Sequence, residues 1–293
     1  MVNTVLRITA DIFVFFTAFV HFFHLHILPK SPRGKPRRKE SAFGKSVFHF
    51  TYFIKGNFYR QDKFMSVFVI ADPHLSLGSE KPMDIFRGWQ DYTSRLKSNW
   101  EKVVSPGDTV VIPGDISWAM SLEEAKTDLK FIDSLPGRKI IGKGNHDYWW
   151  ATMRKMNAFL TENELHTISF LFNNAYEAEN IAVCGTRGWF YDDKAENAEK
   201  VIAREAGRLT ASIEEALKTG KEPVAFMHYP VVYESGVCEE LLAVLKKYGI
   251  KRCYFGHIHG DRTGRYEKYE HEGITFSLIS ADFLTFCPKK VML

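Results

Sequence analysis

The stretch Val67-Phe68-Val69-Ile70-Ala71-Asp72-Pro73-His74 is the part of the chain from which the fold can first be inferred. Its first five residues are β-branched or otherwise apolar, as expected for a strand that is buried on both faces. Its last three residues add a carboxylate and an imidazole directly after that strand. Five more short apolar runs follow, at 109–112, 139–141, 181–184, 224–227 and 253–255. An apolar run that ends in polar residues is therefore the recurring pattern of this chain.

Helical stretches lie between most of these apolar runs. The sequence predicts helices over approximately 83–104, 121–134, 150–163, 195–219 and 238–248. Strands that alternate with helices indicate an α/β protein whose sheets are buried between helical layers. Residues 266–283 alternate without a long helix, which predicts a terminal β-hairpin or meander. Residues 65–293 show no internal repeat and no Pro- or Gly-rich linker, so we interpret them as one domain.

The first 64 residues differ from the rest in composition. They hold eleven basic and three acidic residues, a net charge of +8, whereas residues 65–293 hold 28 basic and 32 acidic residues, a net charge of −4. Segment 8–28 is long and apolar enough to cross a bilayer, and the basic run 30–39 after it predicts that this end faces the cytoplasm. Two interpretations of this N-terminal extension stay open. It is either an inner-membrane anchor for a cytoplasmic catalytic domain or a non-native extension.

Composition excludes several other classes of protein. With 45% apolar and 25% charged residues, the chain is neither disordered nor collagen-like. None of the four cysteines has C-x-x-C spacing, which predicts reduced thiols and a cytoplasmic protein. The weakly acidic body lacks the electrostatic pattern of a protein that binds duplex nucleic acid.

Polar residues that can bind metal ions follow the apolar runs in order. They are Asp72, His74, Asp115, Asn145, His228, His257 and His259. In an α/β sheet the carboxyl ends of the strands converge on a ligand site, so we expect these side chains to meet. Seven donors exceed the needs of one ion, and mixed imidazole and oxygen ligands suit Mn²⁺, Fe or Zn²⁺. Two such ions with a bridging hydroxide leave a net positive centre, which favours an anionic substrate such as a phosphate ester.

The ordered blocks D-x-H, G-D, G-N-H-[DE], H and G-H-x-H resemble the calcineurin-like metallophosphoesterase superfamily, over residues 66 to about 282. The segments 114–118 and 185–189 resemble a bacterial branch of predicted phosphohydrolases whose substrate is uncertain. The resemblance implies a four-layer αββα sandwich with a dinuclear metal centre. It assigns one ion to Asp72, His74, Asp115 and His259. It assigns the other ion to Asp115, Asn145, His228 and His257, so that Asp115 bridges the two.

Further residues are candidates for catalysis and substrate binding. The resemblance places His146 over the substrate, as a general acid or as a residue that orients the phosphate, and we expect Asp147 beside it to raise its pKa. The guanidinium of Arg187 suits a phosphate oxygen, although a structural ion pair is an equal alternative. Trp118 and the aromatic residues 148–150 are candidates for stacking on a nucleobase, although walling the pocket or packing under loops is the favoured alternative.

The sequence therefore predicts a metal-dependent phosphoesterase that hydrolyses a small phosphate monoester or diester with a metal-activated hydroxide. A nucleotide or cyclic-nucleotide phosphodiesterase is the alternative within this class. An alternative of another class is a membrane-tethered, non-catalytic module that binds metal or lipid, with residues 8–28 at the membrane. The motifs of P-loop nucleotidases and of metallo-β-lactamase-type hydrolases are absent from the sequence.

Overall fold

The computed structural model describes residues 65–189, 198–234 and 236–291. The predicted extension 1–64 lies outside these ranges, as do its apolar segment 8–28 and its basic run 30–39. Among the residues that are described, no helix has the length and apolar character needed to span a membrane.

The described residues form five helices and thirteen strands. The helices are α1 (Tyr92–Val103), α2 (Leu122–Ser134), α3 (Met153–Glu162), α4 (Ala198–Leu217) and α5 (Glu239–Lys247). The first strands are β1 (Val67–Val69), β2 (Thr109–Pro113), β3 (Arg138–Gly142), β4 (Ile168–Phe170), β5 (Tyr176–Ala178), β6 (Ile181–Thr186) and β7 (Glu222–Met227). The remaining strands are β8 (Val232–Tyr233), β9 (Gly236–Val237), β10 (Arg252–Phe255), β11 (Tyr269–His271), β12 (Ile274–Leu278) and β13 (Lys289–Lys290).

Two larger sheets carry the fold. The first has the order β13-β1-β2-β3-β4, in which β1 to β4 run parallel and β13 is antiparallel at one edge. The second has the order β11-β12-β10-β7-β6-β5, with four parallel central strands and an antiparallel strand at each edge. Strands β8 and β9 form a small separate hairpin. Parallel strands in the centre of both sheets explain why the apolar runs are nearly continuous.

Side chains of the first apolar run divide between the two faces of β1 and the residues after it. Phe68 and Ile70 belong to an apolar cluster that includes residues of α1, α2 and α3. Val69 and Ala71 belong to a second cluster, which includes strands from both sheets. A third cluster joins the second sheet to α4 and α5, for example through Phe255. Successive side chains of a strand point to opposite faces, so this division gives the four layers α, β, β and α and confirms the predicted sandwich.

Helix starts follow local sequence signals where these are strong. Ser121 precedes α2, and its hydroxyl accepts a hydrogen bond from the Glu124 N–H at 3.3 Å, while the Glu124 carboxylate accepts one from the Met120 N–H at 2.8 Å. This reciprocal arrangement resembles a capping box, except that the glutamate accepts its hydrogen bond from the residue before the N-cap and not from the N-cap itself.

The predicted helix 83–104 is too long at its start. Helix α1 begins only at Tyr92, because Asp91 has a left-handed backbone conformation with φ of 52°. The preceding residues form a long loop between β1 and α1. By contrast, β11 and β12 pair as the predicted terminal hairpin. The short strands β4, β5, β8, β9 and β13 were not predicted.

Candidate metal centre

The predicted metal ligands meet at one edge of the fold. They follow the carboxyl ends of five parallel strands, three in the first sheet and two in the second. Asp72 and His74 follow β1, Asp115 follows β2, Asn145 follows β3, His228 follows β7, and His257 and His259 follow β10. The site therefore joins the ends of both sheets.

The backbone at this edge has an uncommon conformation. Asp72, His74, Asp115 and His257 have positive φ angles of 55°, 44°, 52° and 68°. Left-handed backbone in residues other than glycine is unfavourable by roughly 1–3 kcal/mol each and is concentrated at functional sites. Surrounding contacts must therefore hold these four residues in place.

One group of side chains combines a carboxylate with two imidazoles. Ligand atoms of Asp72, His74 and His259 all lie within 4.8 Å of one another. The Nε2 atoms of His74 and His259 are 3.1 Å apart. The other ring nitrogen of His259, Nδ1, lies 2.8 Å from Oδ1 of Asp282. A carboxylate behind an imidazole fixes the orientation and the tautomer of a metal-binding histidine.

A second group shares Asp72 with the first. Ligand atoms of Asp72, Asp115 and His228 again lie within 4.8 Å of one another. Oδ1 of Asn145 is 2.5 Å from Nε2 of His228 and 3.0 Å from Nδ1 of His257.

Asp115 belongs to the second group and also faces a histidine of the first. Its Oδ2 atom is 3.6 Å from Nε2 of His74 in the first group and 3.5 Å from Nε2 of His228 in the second. A single carboxylate oxygen thus faces imidazoles from both groups, which is the position that a bridging ligand needs.

Each of the two carboxylates has one oxygen that is held by protein donors. Oδ2 of Asp72 accepts hydrogen bonds from the Ser280 hydroxyl at 2.8 Å and the His257 N–H at 2.9 Å. Oδ1 of Asp115 accepts one from the His146 N–H at 2.8 Å. These contacts fix the carboxylates and leave Oδ1 of Asp72 and Oδ2 of Asp115 facing the imidazoles.

Buried atoms without partners test whether a metal ion fits here. Oδ1 of Asp72 and Nδ1 of His228 are buried and face each other at 3.3 Å without a hydrogen bond of good geometry, and Nδ1 of His74 is buried without a partner among the described residues. Buried polar atoms are nearly always satisfied, so such a concentration requires an explanation. Carboxylate, amide and imidazole donors around these atoms form a ligand set that suits divalent ions. The residues present therefore fit the metal centre.

Burial and neighbouring charges shift the ionisation of these groups in different directions. Burial lowers the pKa of His74 to about 3 and that of His257 to about 4. Both imidazoles are therefore neutral, and each keeps a lone pair that can bind a metal ion. Burial also disfavours protonated His228, but Asp115 and Asp72 outweigh it and raise its pKa to about 9. Burial raises the pKa of Asp115 to about 7. A cation in this site would therefore replace protons as the partner of the carboxylates.

Asp147 does not have the surroundings that we expected. Its carboxylate is fully buried and accepts hydrogen bonds from the N–H groups of Asp115, Ile116, Ser117 and Gly144 and from the indole of Trp149, at 2.7 to 3.4 Å. The prediction that it orients His146 and raises its pKa is wrong, because the backbone of two neighbouring loops occupies both of its oxygens. Asp147 instead holds the loops after β2 and β3 together.

His146 lies beside the ligand groups, and no carboxylate among the described residues pairs with its ring. Its ring centroid is 5.6 Å from that of His74, and its Nδ1 atom is buried without a hydrogen bond in the described part of the chain. Burial lowers the pKa of His146, and the positive charges of His228 and His259 lower it further.

Trp118 packs against the site. Its ring stacks on His74 at 4.9 Å and lies 4.3 Å from the ring of His146. Its indole N–H points to the sulfur of Met83, and Nζ of Lys81 lies 4.9 Å from the ring centre. These contacts support the alternative that Trp118 forms a wall of the pocket.

The other candidate aromatic residues differ in exposure. Trp149 is buried in the first apolar cluster, and Trp150 packs against that cluster. Tyr148 is 55% exposed and lies 6.1 Å from His146. Of the aromatic residues 148–150, Tyr148 has the most exposed side chain, whereas Trp150 is only partly exposed.

Arg187 lies in the loop after β6. Its carbonyl oxygen accepts a hydrogen bond at 2.9 Å from the N–H of Tyr229, which directly follows His228. Its guanidinium packs over the ring of Trp189 at 5.0 Å and lies 3.9 Å from the Glu205 carboxylate.

Sequence reasoning missed residues that support the ligands. Ser280 and Asp282 follow β12 and contact Asp72 and His259. The signal was present, because they follow an apolar run just as the predicted ligands do. Lys81 carried no such signal, since it lies in a loop that we predicted to be partly helical.

Comparison with known proteins agrees with this geometry. The model of the family described as calcineurin-like phosphoesterase matches residues 65–261 of the chain. The chain belongs to the calcineurin-like phosphoesterase family. The matched range contains all seven candidate ligands. The family and the ligand cluster together support a metal-dependent hydrolase that acts on phosphate esters.

Several solved structures are similar in fold. A protein of unknown function from Aquifex aeolicus is 16% identical, with 77% of this chain and 95% of that chain covered and a TM-score of 0.45. Phosphopantetheinyl hydrolase from Mycobacterium tuberculosis is 12% identical, with 78% and 95% covered and a TM-score of 0.45. A protein from Thermus thermophilus is 9% identical, with 78% and 99% covered and a TM-score of 0.47. No curated protein matches the sequence. These likenesses are too distant to carry an argument about the substrate.

Proposed function

We propose that the protein hydrolyses small phosphate monoesters or diesters with two divalent ions. The observation that carries this proposal is the position of Asp115, whose Oδ2 atom faces His74 at 3.6 Å and His228 at 3.5 Å. One ion would be held by Asp72, His74, Asp115 and His259. The other would be held by Asp115, Asn145, His228 and His257. Such ions supply Lewis acidity, which lowers the pKa of a water molecule and offsets charge on phosphoryl oxygens.

The protein groups around the ions would bind and orient the substrate. We assign His146 to the phosphate, because its ring lies 4.3 Å from that of Trp118 and 5.6 Å from that of the ligand His74, and its Nδ1 atom has no partner among the described residues. Asn145 would contribute to both metal and substrate binding through its amide. Trp118 would limit the space beside His74, and Arg187 would supply positive charge on the side of His228.

Mn²⁺ is our first choice of ion, with Fe and Zn²⁺ as the alternatives, because the proposed ligands mix imidazole nitrogen with carboxylate and amide oxygen. We also propose that the enzyme works in the cytoplasm of a bacterial cell. Cys184, Cys238 and Cys253 are buried free thiols, which accords with a reducing compartment. Burial raises the pKa of Cys184 to about 12, so this thiol is not a nucleophile.

A screen with controlled metal content tests this function. The full chain is treated with a chelator, reloaded with Mn²⁺, Fe²⁺ or Zn²⁺, and assayed on nitrophenyl phosphate, bis-nitrophenyl phosphate, alkyl phosphates and nucleotides. We expect no hydrolysis without metal and recovery with Mn²⁺. Asp84→Asn, at an exposed position whose side chain makes no hydrogen bond or ion pair with the described residues, is the matched control for variants of the ligand carboxylates. Full hydrolysis by a preparation shown to be metal-free would disprove the proposal.

The same screen separates the alternatives. A nucleotide phosphodiesterase would prefer nucleotides over simple esters, and Tyr148 is the exposed ring near the site that could stack on a base. A membrane-tethered binding module would hydrolyse none of the substrates and would lose its function when residues 1–64 are deleted.

A further inference from the structure

Two arginines lie beside one buried acid near the proposed metal centre, and a lysine lies in the loop after β3 that also carries Asn145. We call Lys143, Arg187 and Arg208, together with Glu205, the cationic cluster. Glu205 is fully buried in α4 and is the acid that lies closest to the two arginines of the cluster.

The carboxylate of Glu205 already has close partners. It accepts a hydrogen bond from the Thr186 hydroxyl at 2.5 Å and one from Nη1 of Arg208 at 2.6 Å. Nη2 of Arg187 is farther away, at 3.9 Å. Arg208 therefore neutralises Glu205, and the charge of Arg187 is only weakly compensated.

Arg187 and its neighbour Trp189 have donors without acceptors. The side chain of Arg187 is only 17% exposed. Its Nε–H and the indole N–H of Trp189 are buried and have no hydrogen-bond partner in the described residues. Buried donors without acceptors are costly, so this arrangement favours an anion.

Lys143 supplies a further positive charge in the adjacent loop. It is partly buried and lies two residues before the proposed ligand Asn145. No hydrogen bond or ion pair of its ammonium group occurs within 65–189, 198–234 and 236–291.

The cationic cluster is continuous with the candidate metal centre. Lys143 precedes Gly144 and the ligand Asn145 in the loop after β3. The ring of Trp189 lies 5.6 Å from that of Tyr229, and the Tyr229 ring lies 4.3 Å from that of His257. A molecule bound at the metal centre would therefore meet the cluster on the side of Asn145 and His257.

We propose that the cationic cluster binds a second anionic group of the substrate, a phosphate or a carboxylate, so that the preferred substrates are phosphate esters with a further negative charge. This inference rests on the proposed function. Charge on the scissile phosphate would be offset at the metal centre, whereas Lys143 and Arg187 are two further cations. Guanidinium groups bind phosphate and carboxylate through paired hydrogen bonds, so either group suits the cluster.

Three non-hydrolysable probes test the proposal by equilibrium binding. They are alkylphosphonates that end in a methyl group, a carboxylate or a second phosphonate, each with spacers of two to four carbons. Binding to the metal-loaded full chain is measured by calorimetry. We expect at least one doubly anionic probe to bind about tenfold or more tightly than the methyl-ended probe of the same length. The carboxylate and phosphonate arms show which anion is preferred.

Substitutions then locate the effect. Arg187→Gln and Lys143→Gln should each reduce the preference for the doubly anionic probe about tenfold. Arg204→Gln is the matched control, because Arg204 is an exposed arginine on the same helix as Glu205 and should keep the preference. If Arg187→Gln does not fold, Arg187→Lys replaces it in the test, because lysine keeps the charge but lacks the paired hydrogen-bond donors of the guanidinium.

Equal binding of all probes by the unmodified protein would overturn the inference while leaving the proposed function intact. Equal weakening of all probes by Arg187→Gln and Lys143→Gln would also overturn it, because the cluster would then act on the scissile phosphate or on the fold. Failure of every ester to be hydrolysed in the metal screen would overturn the proposed function itself and this inference with it.

Discussion

Replacing Asp147 by asparagine tests whether the structure assigns this buried carboxylate correctly. Oδ2 of Asp147 accepts hydrogen bonds from the N–H groups of Asp115 at 2.9 Å and Gly144 at 2.7 Å. Oδ1 accepts from Ile116 and, through the indole, from Trp149. In Asp147→Asn the amide oxygen can serve only one of these two sets.

The expected loss of stability follows from the two donors that lose their acceptor. If the amide oxygen takes the place of Oδ1, the N–H groups of Asp115 and Gly144 face an NH₂ group. Each buried donor without an acceptor costs roughly 1–3 kcal/mol, so we expect a loss of about 2–6 kcal/mol in the free energy of unfolding. A role limited to orienting His146 would cause no such loss.

The measurement is urea-induced unfolding of the full chain, followed by tryptophan fluorescence and circular dichroism. Asp84→Asn is the control and should stay within about 0.5 kcal/mol of the unmodified protein, because its side chain is exposed. The midpoint of Asp147→Asn should fall while the slope with urea stays the same. A midpoint equal to that of Asp84→Asn would refute the reasoning.

Three other predictions test the site and the domain. Asp115→Asn should bind neither ion at full occupancy, because a neutral amide is a poor bridge, and elemental analysis that finds two ions per chain would contradict this. His146→Ala should keep its metal and lose similar activity on alkyl and nitrophenyl phosphates, because no carboxylate of the described residues pairs with the ring to prepare it as an acid; a much larger loss on alkyl phosphates would support the acid role. Residues 65–293 alone should fold and remain in solution, as gel filtration and circular dichroism would show; recovery only as aggregate would contradict the proposed boundary.

Much of the fold was predictable because the first apolar run is buried on both faces. Phe68 and Val69 lie in different apolar clusters, so both faces of β1 need apolar residues and the run stands out. Edge strands such as β5 and β13 are short and lack this signal. The start of α1 was missed because the turn at Asp91 depends on a left-handed backbone. Aspartate tolerates this conformation, but its presence in a sequence does not predict it.

The candidate ligands were predictable for a different reason. Each follows an apolar run within four residues, so its position depends only on local order along the chain. The partners of Asp147 were not predictable, because the donors from Asp115 and Ile116 are about thirty residues away in sequence. The same holds for Asp282 behind His259. Contacts between loops of different strands require the three-dimensional arrangement of the sheet edge.

The hydrogen bonds that position the candidate ligands also join the loops that carry them. We therefore expect substitutions in one loop to affect metal binding by residues of the next. The His257 N–H holds Asp72, the His146 N–H holds Asp115, and Asp147 holds the backbone of Asp115. A β-carbon at Gly144 would collide with the carboxylate of Asp115, and one at Gly256 would collide with that of Asp72. The loops can therefore come this close to each other only because glycine occupies both positions. Residues that share a hydrogen-bond network have non-additive effects. Damage to one motif should therefore displace ligands of the next, and two such substitutions should together reduce metal binding by less than the sum of their separate effects.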